Sequence, residues 1–431
     1  MTEQLATYLD GRRIGTLFQA PQGNLTFVYD DTYRRQRGAT PLSLSLPLAR
    51  AEHRNRPTRA FLQGLLPDSP GRLEELSREF GVSPRNTFAL LAHMGRDAAG
   101  AVQILPEGEA SGDAAVRTGE LDVLDEDDFA DLIADVIANQ DTWGRRDNAN
   151  VRWSLPGAQP KVALFRTAAG HWAVPRDSTP TTHIVKPAVP PYSDHHINEF
   201  MTMAAARHLG LVVADDFVTT TTRGDHAFVS VRYDRRDVGG RWRRLHQEDL
   251  CQAMATPPEK KYQADGGPGI ATIAQLLGSN PDAADARDNA RRFFDAIVFN
   301  VAALGTDAHA KNYSLLLEGD RVTLAPLYDL GSHAPYPVRG DAFPRLAMSV
   351  EGEYRATGIT TLSLARGARR LRLDETYAFE RATEITSHIV DAYDASAEIA
   401  RAQLGDQEFI ERMLTSIRDH ALERGWVSRP R

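Results

Sequence analysis

Short runs of alternating apolar and polar residues predict strands in the N-terminal half of the chain. Residues 5–9 and 13–18 flank Asp10-Gly11, a dipeptide typical of a tight hairpin turn. Residues 41–48 (PLSLSLPL) alternate leucine with serine or proline, which predicts an extended segment. Further strands are predicted at residues 24–29, 162–166, 172–175, 182–186, 217–222 and 226–232.

Helical periodicity is clearest in the second half of the chain. Residues 285–304 carry one wide apolar stripe, and Gly305 is expected to end that helix. Beyond Tyr233 the pattern predicts helices and long loops, interrupted by one hairpin over residues 313–327. Shorter helices are predicted at residues 74–80, 87–93, 126–137 and 197–209.

These changes of pattern divide the chain into four parts. They are a small mixed subdomain (residues 1–106), a linker with an acidic helix (107–147), a strand-rich lobe (148–240) and a mainly helical lobe (241–431). A chain of 431 residues is too long for one compact core, so more than one domain is expected. The predicted fold class is therefore α+β, with a mixed N-terminal lobe that carries an extra small subdomain.

Composition narrows the classes of function. The net charge is −8, from 50 basic and 58 acidic side chains, which argues against sequence-independent DNA binding as the main activity. The single cysteine, Cys251, excludes an intramolecular disulfide and a cysteine-based zinc site and fits a reducing cytoplasm. Neither a signal-peptide pattern nor an apolar run of 18 residues occurs, so we expect a cytoplasmic protein without a membrane span.

The strongest chemical signal lies between Gly305 and Asp329. The chain there reads GTDAHAKNYS, then the predicted hairpin, then PLYDL. Protein kinases place a catalytic Asp and an Asn five residues apart after a helix, and a Mg²⁺-binding Asp after the following hairpin. Asp307, Asn312 and Asp329 match that order, which predicts a two-lobed, protein-kinase-like fold.

Phosphoryl transfer needs this set of groups. One carboxylate must meet the attacking hydroxyl, which suits Asp307, and oxygen ligands must hold Mg²⁺, which suits Asn312 and Asp329. Each residue alone would serve equally well as a cap or loop support, and only their joint order favours catalysis. We interpret His309 as a packed loop histidine in preference to a metal ligand or a base. Lys311 has two interpretations, as a contact to a phosphate or to the substrate and as a solvated lysine.

Two further segments complete the kinase hypothesis. Lys186 ends an apolar strand (THIVK) and could reach the α- and β-phosphates, with Glu199 as a pairing partner or as a solvated helix residue. Residues 154–161 (SLPGAQPK) contain one glycine and match no standard phosphate-loop motif, so on local grounds they form only a strand-loop-strand turn. Small residues at Gly157 and Ala158 would let backbone N–H groups approach phosphates.

Several blocks of the chain resemble the HipA kinase-toxin family. PLSLSLPL, LLPDSP and MGRDAAGAVQILPE resemble its N-terminal subdomain, SLPGAQPKVAL its nucleotide loop, and THIVKP its ATP-lysine strand. RLHQEDLCQAM with KYQADGGPGI resembles the start of its helical domain, and TDAHAKNYS with LYDLGS its catalytic loop and metal Asp. The blocks follow the family's order over nearly the whole chain.

The resemblance implies an ATP- and Mg²⁺-dependent serine/threonine protein kinase that is silenced by autophosphorylation on Ser154. The chain departs from the family pattern at two places. Ala308 stands where the family has a glycine, and Val231-Arg232-Tyr233 stands where the family has Glu-Arg-Phe. The nucleotide contacts that it implies are Ser154, Gly157, Ala158, Gln159, Lys161, Lys186, Val231, Tyr233, His309 and Lys311.

The resemblance further implies partners. They are a HipB-like helix-turn-helix antitoxin, operator DNA contacted mainly through that antitoxin, and a protein substrate that is an aminoacyl-tRNA synthetase (glutamyl-tRNA synthetase or a relative). Two alternatives remain open. One is a kinase-like scaffold that only binds an antitoxin–DNA complex, and the other is a kinase of small molecules or lipids.

Overall fold

The structure is a computed structural model that describes residues 2–108, 119–144, 153–191, 193–337, 344–405 and 407–428. The chain forms two compact units and passes between them more than once. The first unit is made of Met1–Val189, Thr219–Glu259 and Leu315–Val322, and the second of Pro190–Val218, Lys260–Ser314 and Thr323–Arg431. Helices and strands are mixed along the chain, which confirms the prediction of an α+β fold.

The strands are β1 (Glu3–Leu9), β2 (Arg12–Gln19), β3 (Leu25–Tyr29), β4 (Glu52–His53), β5 (Asp97–Ala98), β6 (Val102–Pro106), β7 (Leu121–Leu124), β8 (Trp153–Ser154), β9 (Val162–Arg166), β10 (Trp172–Pro175), β11 (His183–Pro187), β12 (Asp216–Thr220), β13 (His226–Val231), β14 (Arg235–Val238), β15 (Arg241–Arg244), β16 (Gln247–Asp249), β17 (Ser314–Glu318), β18 (Arg321–Leu324), β19 (Arg345–Val350) and β20 (Glu353–Arg355). The helices are α1 (Asp31–Arg34), α2 (Asn55–Gln63), α3 (Pro70–Phe80), α4 (Thr87–Met94), α5 (Glu126–Ala138), α6 (His195–His208), α7 (Leu250–Ala253), α8 (Ile270–Gly278), α9 (Ala283–Ala302), α10 (Thr361–Gly367), α11 (Glu375–Ser387), α12 (Ile389–Leu404) and α13 (Glu408–Glu423).

The first unit begins with a five-stranded sheet in the order β4-β3-β2-β1-β6. Its first hairpin is the predicted one, because Asp10 (φ 47°) and Gly11 (φ 76°) both adopt the left-handed conformation that a tight turn requires. Alternate residues of β3 are buried in the core of this unit, as the period-2 pattern predicts: Leu25, Phe27 and Tyr29.

The prediction of an extended segment at residues 41–48 is wrong. This segment folds as a turn closed by a single bridge between Ser43 and Leu46. Leu44 N donates to Glu248 Oε1 at 2.8 Å, and the Ser45 hydroxyl donates to Gln252 O at 2.9 Å. The alternating pattern therefore reflects a turn that docks on residues about 200 positions later in the chain, not a strand.

A second sheet of six strands has the order β12-β13-β11-β9-β10-β7. It contains the strands predicted at 162–166 and 172–175. The linker predicted before residue 126 needs a correction, because Leu121–Leu124 is strand β7 and pairs antiparallel with β10. Residues 109–118 of that linker lie outside the described residues.

The expectation of only helices and long loops after Tyr233 is also wrong for the residues that directly follow Tyr233. Strands β14 and β15 form a hairpin there, joined by Gly239 (φ 62°) and Gly240 (φ 82°), and β16 follows. The two hairpin strands are rich in arginine and lack an apolar alternation, so the usual strand signal is absent.

The long helix of the second unit, α9, is the helix predicted from the apolar stripe. The Asp282 carboxylate caps its first turn by accepting from two backbone N–H groups. The helix ends at Ala302 and not at Gly305, because Leu304 already adopts a left-handed φ of 55°. Gly305 serves close packing instead, since an added Cβ would lie 2.1 Å from Asn300 Oδ1.

The end of the chain is helical, as predicted, with α10 to α13 in succession. Within the second unit, α12 packs against both α6 and α13. None of the helices in the described part of the chain combines the length and the apolar character that crossing a membrane requires.

Candidate active site

The loop after α9 presents Asp307 at its tip. The Asp307 side chain is 68% exposed, while its backbone oxygen accepts from His309 N at 2.7 Å and from Asn312 Nδ2 at 2.9 Å. These two bonds close residues 307–312 into a compact turn. Because the Asn312 amide nitrogen is used in this way, its carbonyl oxygen is the atom that remains for a cation.

The segment that carries Asp329 is tied to this loop on both sides. Before Asp329, the Tyr328 hydroxyl donates to Lys311 O at 2.8 Å. After it, the Ser332 hydroxyl donates to Ala303 O at 2.6 Å, and His333 N donates to Leu304 O at 2.9 Å. Asp329 itself has a left-handed φ of 57°, an uncommon conformation that often marks a functional site.

The side chain of His309 lies close to the carboxylate of Asp307 and is influenced by the charge of Asp329. Its imidazole is buried, and burial lowers the pKa of His309, while the charges of Asp307 and Asp329 both oppose that shift. His309 Nε2 lies 4.0 Å from Asp307 Oδ1. The burial of His309 agrees with the interpretation of a packed loop histidine.

Two residues that the sequence did not single out hold these segments. The Tyr262 hydroxyl donates to Asp307 Oδ1 at 2.5 Å, and its ring packs edge-on against His309. Asn198 of α6 binds the backbone of Ser332 twice, accepting from its N and donating to its O, both at 2.7 Å. Tyr262 lies in the KYQADGGPGI block, whose resemblance was the only signal that could have pointed to it.

The predicted nucleotide loop belongs to the first unit. Ser154 lies in β8, which pairs in parallel with β5, and its hydroxyl is fully buried and donates to Leu65 O at 2.7 Å. Gly157 has a φ of 105° and accepts from Asp68 N at 2.9 Å through its carbonyl oxygen. Lys161 folds back inside the loop, where its Nζ donates to Pro156 O at 2.9 Å.

The φ of 105° at Gly157 favours glycine, and an added Cβ would lie 2.5 Å from Lys161 Nζ, which would have to move. Ala158 is exposed and Gln159 is half-buried. The loop therefore presents small residues and backbone around a buried ammonium group, which is a donor set suited to phosphate oxygens.

Lys186 lies in β11, in the interior of the six-stranded sheet, and is 7% exposed. Its ammonium group lies 5.6 Å from the centre of the Phe228 ring. Lys186 is therefore neither on an edge strand nor solvated. Lys311 is also buried, as is Glu199 in α6, which excludes the solvated alternatives for both.

The segment Val231-Arg232-Tyr233, which contains two of the implied nucleotide contacts, has a buried ionic residue at its centre. Val231 pairs with His183 in the sheet, and the Tyr233 hydroxyl donates to Gln247 Oε1. The residue between them, Arg232, is buried in an ionic network. Five side chains, each at most 4% exposed, form that network: Arg232, Arg235, Arg244, Asp97 and Asp234.

Asp97 is the centre of the network. It contacts Arg235 at 2.7 Å, Arg244 at 3.0 Å and Arg232 at 3.2 Å. Burial acts to raise the pKa of Asp97, but the three guanidinium groups outweigh it and hold this pKa well below its usual range. Since Asp97 is in β5, the network supports the strand with which Ser154 pairs.

The predicted site residues thus fall into two groups. The second unit brings together Asp307, His309, Lys311, Asn312 and Asp329. The first unit contains Ser154, Gly157, Ala158, Gln159, Lys161, Lys186, Val231 and Tyr233. Within the described residues, no group of three or more His, Cys, Asp or Glu side chains could hold a metal ion by itself. Asn312 and Asp329 would therefore supply only part of a coordination sphere, as is usual for Mg²⁺ shared with phosphates.

The chain is similar to known proteins over most of its length. Residues 153–396 match the model of the HipA-like C-terminal domain, and residues 5–105 match that of the HipA N-terminal domain. The putative kinase Y4mE of Sinorhizobium fredii is 36% identical over 348 residues, 80% of each chain. The serine/threonine-protein kinase toxin HipA of Shewanella oneidensis is 31% identical over 381 residues, 85% of this chain and 83% of the relative.

A solved structure gives the same result. HipA in the complex of HipA, HipB and operator DNA from Shewanella oneidensis MR-1 superposes with a TM-score of 0.80 at 26% identity, over 97% of this chain and 96% of that chain. Two domain models in the same order, a relative above 30% identity over most of both chains and a nearly complete structural match all agree. The chain belongs to the HipA family of kinase toxins.

Proposed function

We propose that this chain is an ATP- and Mg²⁺-dependent serine/threonine protein kinase and the toxin of a toxin–antitoxin pair. The observation that carries the proposal is that hydrogen bonds on both sides of Asp329, from Tyr328 to Lys311 O and from Ser332 to Ala303 O, join its segment to the loop of Asp307. An exposed carboxylate beside a second carboxylate and an amide oxygen is the donor set that phosphoryl transfer requires.

In the second unit, Asp307 accepts the proton of the target hydroxyl, since it is the most exposed acidic group of the loop. Tyr262 donates to only one of its oxygens, which orients the carboxylate and leaves Oδ2 for the substrate. Asn312 and Asp329 would hold Mg²⁺, which when bound neutralises charge on the phosphates.

In the first unit, Lys161 and the backbone of Gly157, Ala158 and Gln159 would contact the terminal phosphates. Lys186 would contact the α- and β-phosphates, and Val231 with Tyr233 the adenine. Supporting this division, Lys161 and Lys186 are both buried, so their ammonium groups lose hydration and gain from an anion.

Autophosphorylation on Ser154 would silence the kinase for a physical reason. The hydroxyl is fully buried, and strand β8 must leave β5 before any phosphate can be added. A phosphate carries nearly two negative charges and cannot return to the site beside Leu65 O, because it would face an acceptor oxygen. The modified loop would stay out of its place, and nucleotide contacts would be lost.

The proposed partners follow from the family and from charge. We infer a HipB-like helix-turn-helix antitoxin and operator DNA bound mainly through it, because the net charge of −8 disfavours broad DNA contact by this chain. The protein substrate would be an aminoacyl-tRNA synthetase, and the chain would act in the cytoplasm.

Incubation of the purified chain with labelled ATP and cell extract tests the proposal. A labelled protein band supports it, a labelled metabolite supports a small-molecule kinase, and no label supports a scaffold. Replacing Asp307 by Ala should slow transfer at least ~100-fold, the usual scale for loss of a general base. Asp320→Asn, at the exposed hairpin turn between β17 and β18, is the matched control and should leave the rate unchanged.

A further inference from the structure

The second unit contains a cavity of about 230 Å³ that none of the proposed catalytic residues lines. It is bounded by α8, the middle of α9, the turn after β19 and the residues that follow α10. Its apolar wall consists of Ile270, Phe294, Ile297, Val350, Leu364 and Leu371. This part of the lining favours an apolar group, while the rest of the wall is polar and includes Gln263, Ser349, Glu351 and Arg370.

The polar groups of the cavity wall are already paired with one another. Gln263 Nε2 donates to Ser349 Oγ at 3.0 Å, and Ser349 N donates to Gln263 Oε1 at 2.9 Å. A group that enters the cavity therefore does not have to supply hydrogen-bond partners for Gln263 and Ser349. At the mouth, exposed Glu351 and Arg370 form an ion pair at 3.2 Å that is open to solvent and easily exchanged.

The cavity is linked directly to the proposed catalytic carboxylate. Gln263 forms its wall, and the preceding residue, Tyr262, donates to Asp307 Oδ1 at 2.5 Å. Neighbouring Cα atoms are about 3.8 Å apart and a tyrosine side chain spans several ångström more, so the Cα of Gln263 lies within roughly 13 Å of the Asp307 carboxylate. An extended peptide covers at most that distance in about four residues.

The volume indicates what the cavity can accept. Sites for whole small molecules usually enclose about 300–1,000 Å³, so this cavity is too small for a nucleotide but large enough for one side chain. We propose that it receives one large apolar side chain of the protein substrate, from a residue within about four positions of the phosphorylated serine. This inference rests on the proposed kinase function and names the substrate feature that the kinase selects.

Kinetics on the chain's own target test the proposal. Phosphoproteomics after expression, with Asp307→Ala as the background, identifies the target and its phosphorylated serine. Ala271→Phe then blocks the mouth from an exposed position on the first turn of α8. Ala284→Phe makes the same change at the equivalent exposed position of α9, outside the cavity, and is the matched control.

We expect Ala271→Phe to raise KM for the target at least about tenfold, the scale of losing one buried apolar side chain, with kcat and KM for ATP unchanged. Replacing the target's apolar residue by Gly should raise KM equally, with no further rise in Ala271→Phe. The proposal is overturned if no large apolar residue lies near the serine, or if Ala271→Phe behaves like Ala284→Phe. A parent chain that modifies no protein overturns the kinase function itself, and this inference with it.

Discussion

Glu248 offers a test of the way the turn at residues 41–48 docks on strand β16. Its carboxyl group is 1% exposed and accepts from Leu44 N at 2.8 Å through Oε1, while Oε2 has no hydrogen-bond partner within the described residues. Burial raises the pKa of Glu248 to about 8. Near neutral pH the folded chain therefore carries this carboxyl in its protonated form.

The effect of pH on the free energy of unfolding follows from the difference between the pKa of Glu248 in the folded chain and in the unfolded chain. An unfolded glutamate ionises near pH 4.3, and each unit of difference in pKa is worth about 1.36 kcal/mol. The stability that this group contributes is fully present below the unfolded pKa and is lost as pH rises through the folded pKa of about 8. By pH 7 the loss is on the order of 4 kcal/mol.

Replacing Glu248 by Gln should remove this penalty, because glutamine has the shape of the protonated acid and does not titrate. Urea unfolding at pH 5, 6, 7 and 8 should show a variant more stable than the parent, by a margin that grows with pH. Glu259→Gln, at an exposed position, should show no such trend. A margin that is independent of pH, or a parent more stable at pH 7 to 8, would refute the reasoning.

Three further predictions concern the site and its support. Tyr262→Phe should lower kcat about tenfold or more with KM for ATP unchanged, because it removes a hydrogen bond to a charged group worth about 1.5–3 kcal/mol; unchanged turnover would mean that Tyr262 does not orient Asp307. Asp97→Asn should lower the free energy of unfolding by about 3–5 kcal/mol in urea titrations, because three buried guanidinium groups lose their central carboxylate; a loss below about 1 kcal/mol, as expected for the half-buried Asp122→Asn at the surface, would contradict this. Ser154→Ala should keep a linear rate during incubation with ATP while the parent slows and gains phosphate on residue 154 by mass spectrometry; an active parent without that phosphate would remove the silencing mechanism.

The predicted elements that the structure contains are those specified by local signals. The hairpin at Asp10-Gly11 follows from two residues that tolerate left-handed backbone, and α9 follows from one apolar stripe and its Asp282 cap. The order of Asp307, Asn312 and Asp329 along the chain could also be predicted from the sequence. This order depends on the lengths of one loop and one hairpin, and residues close together in the chain determine both.

The sequence by itself therefore determined the α+β class, most strands and helices, and the chain order of the candidate catalytic groups. Only the tertiary structure decided that residues 41–48 form a turn against Glu248, that β14 and β15 are strands, and that Tyr262 holds Asp307. The turn depends on a partner 204 positions away and the Asp307 contact on one 45 positions away. The hairpin of β14 and β15 is local, but Arg235 in it pairs with Asp97, 138 positions away. Periodicity reports only which face of an element is apolar, so it cannot identify a polar or ionic partner that is brought near by folding.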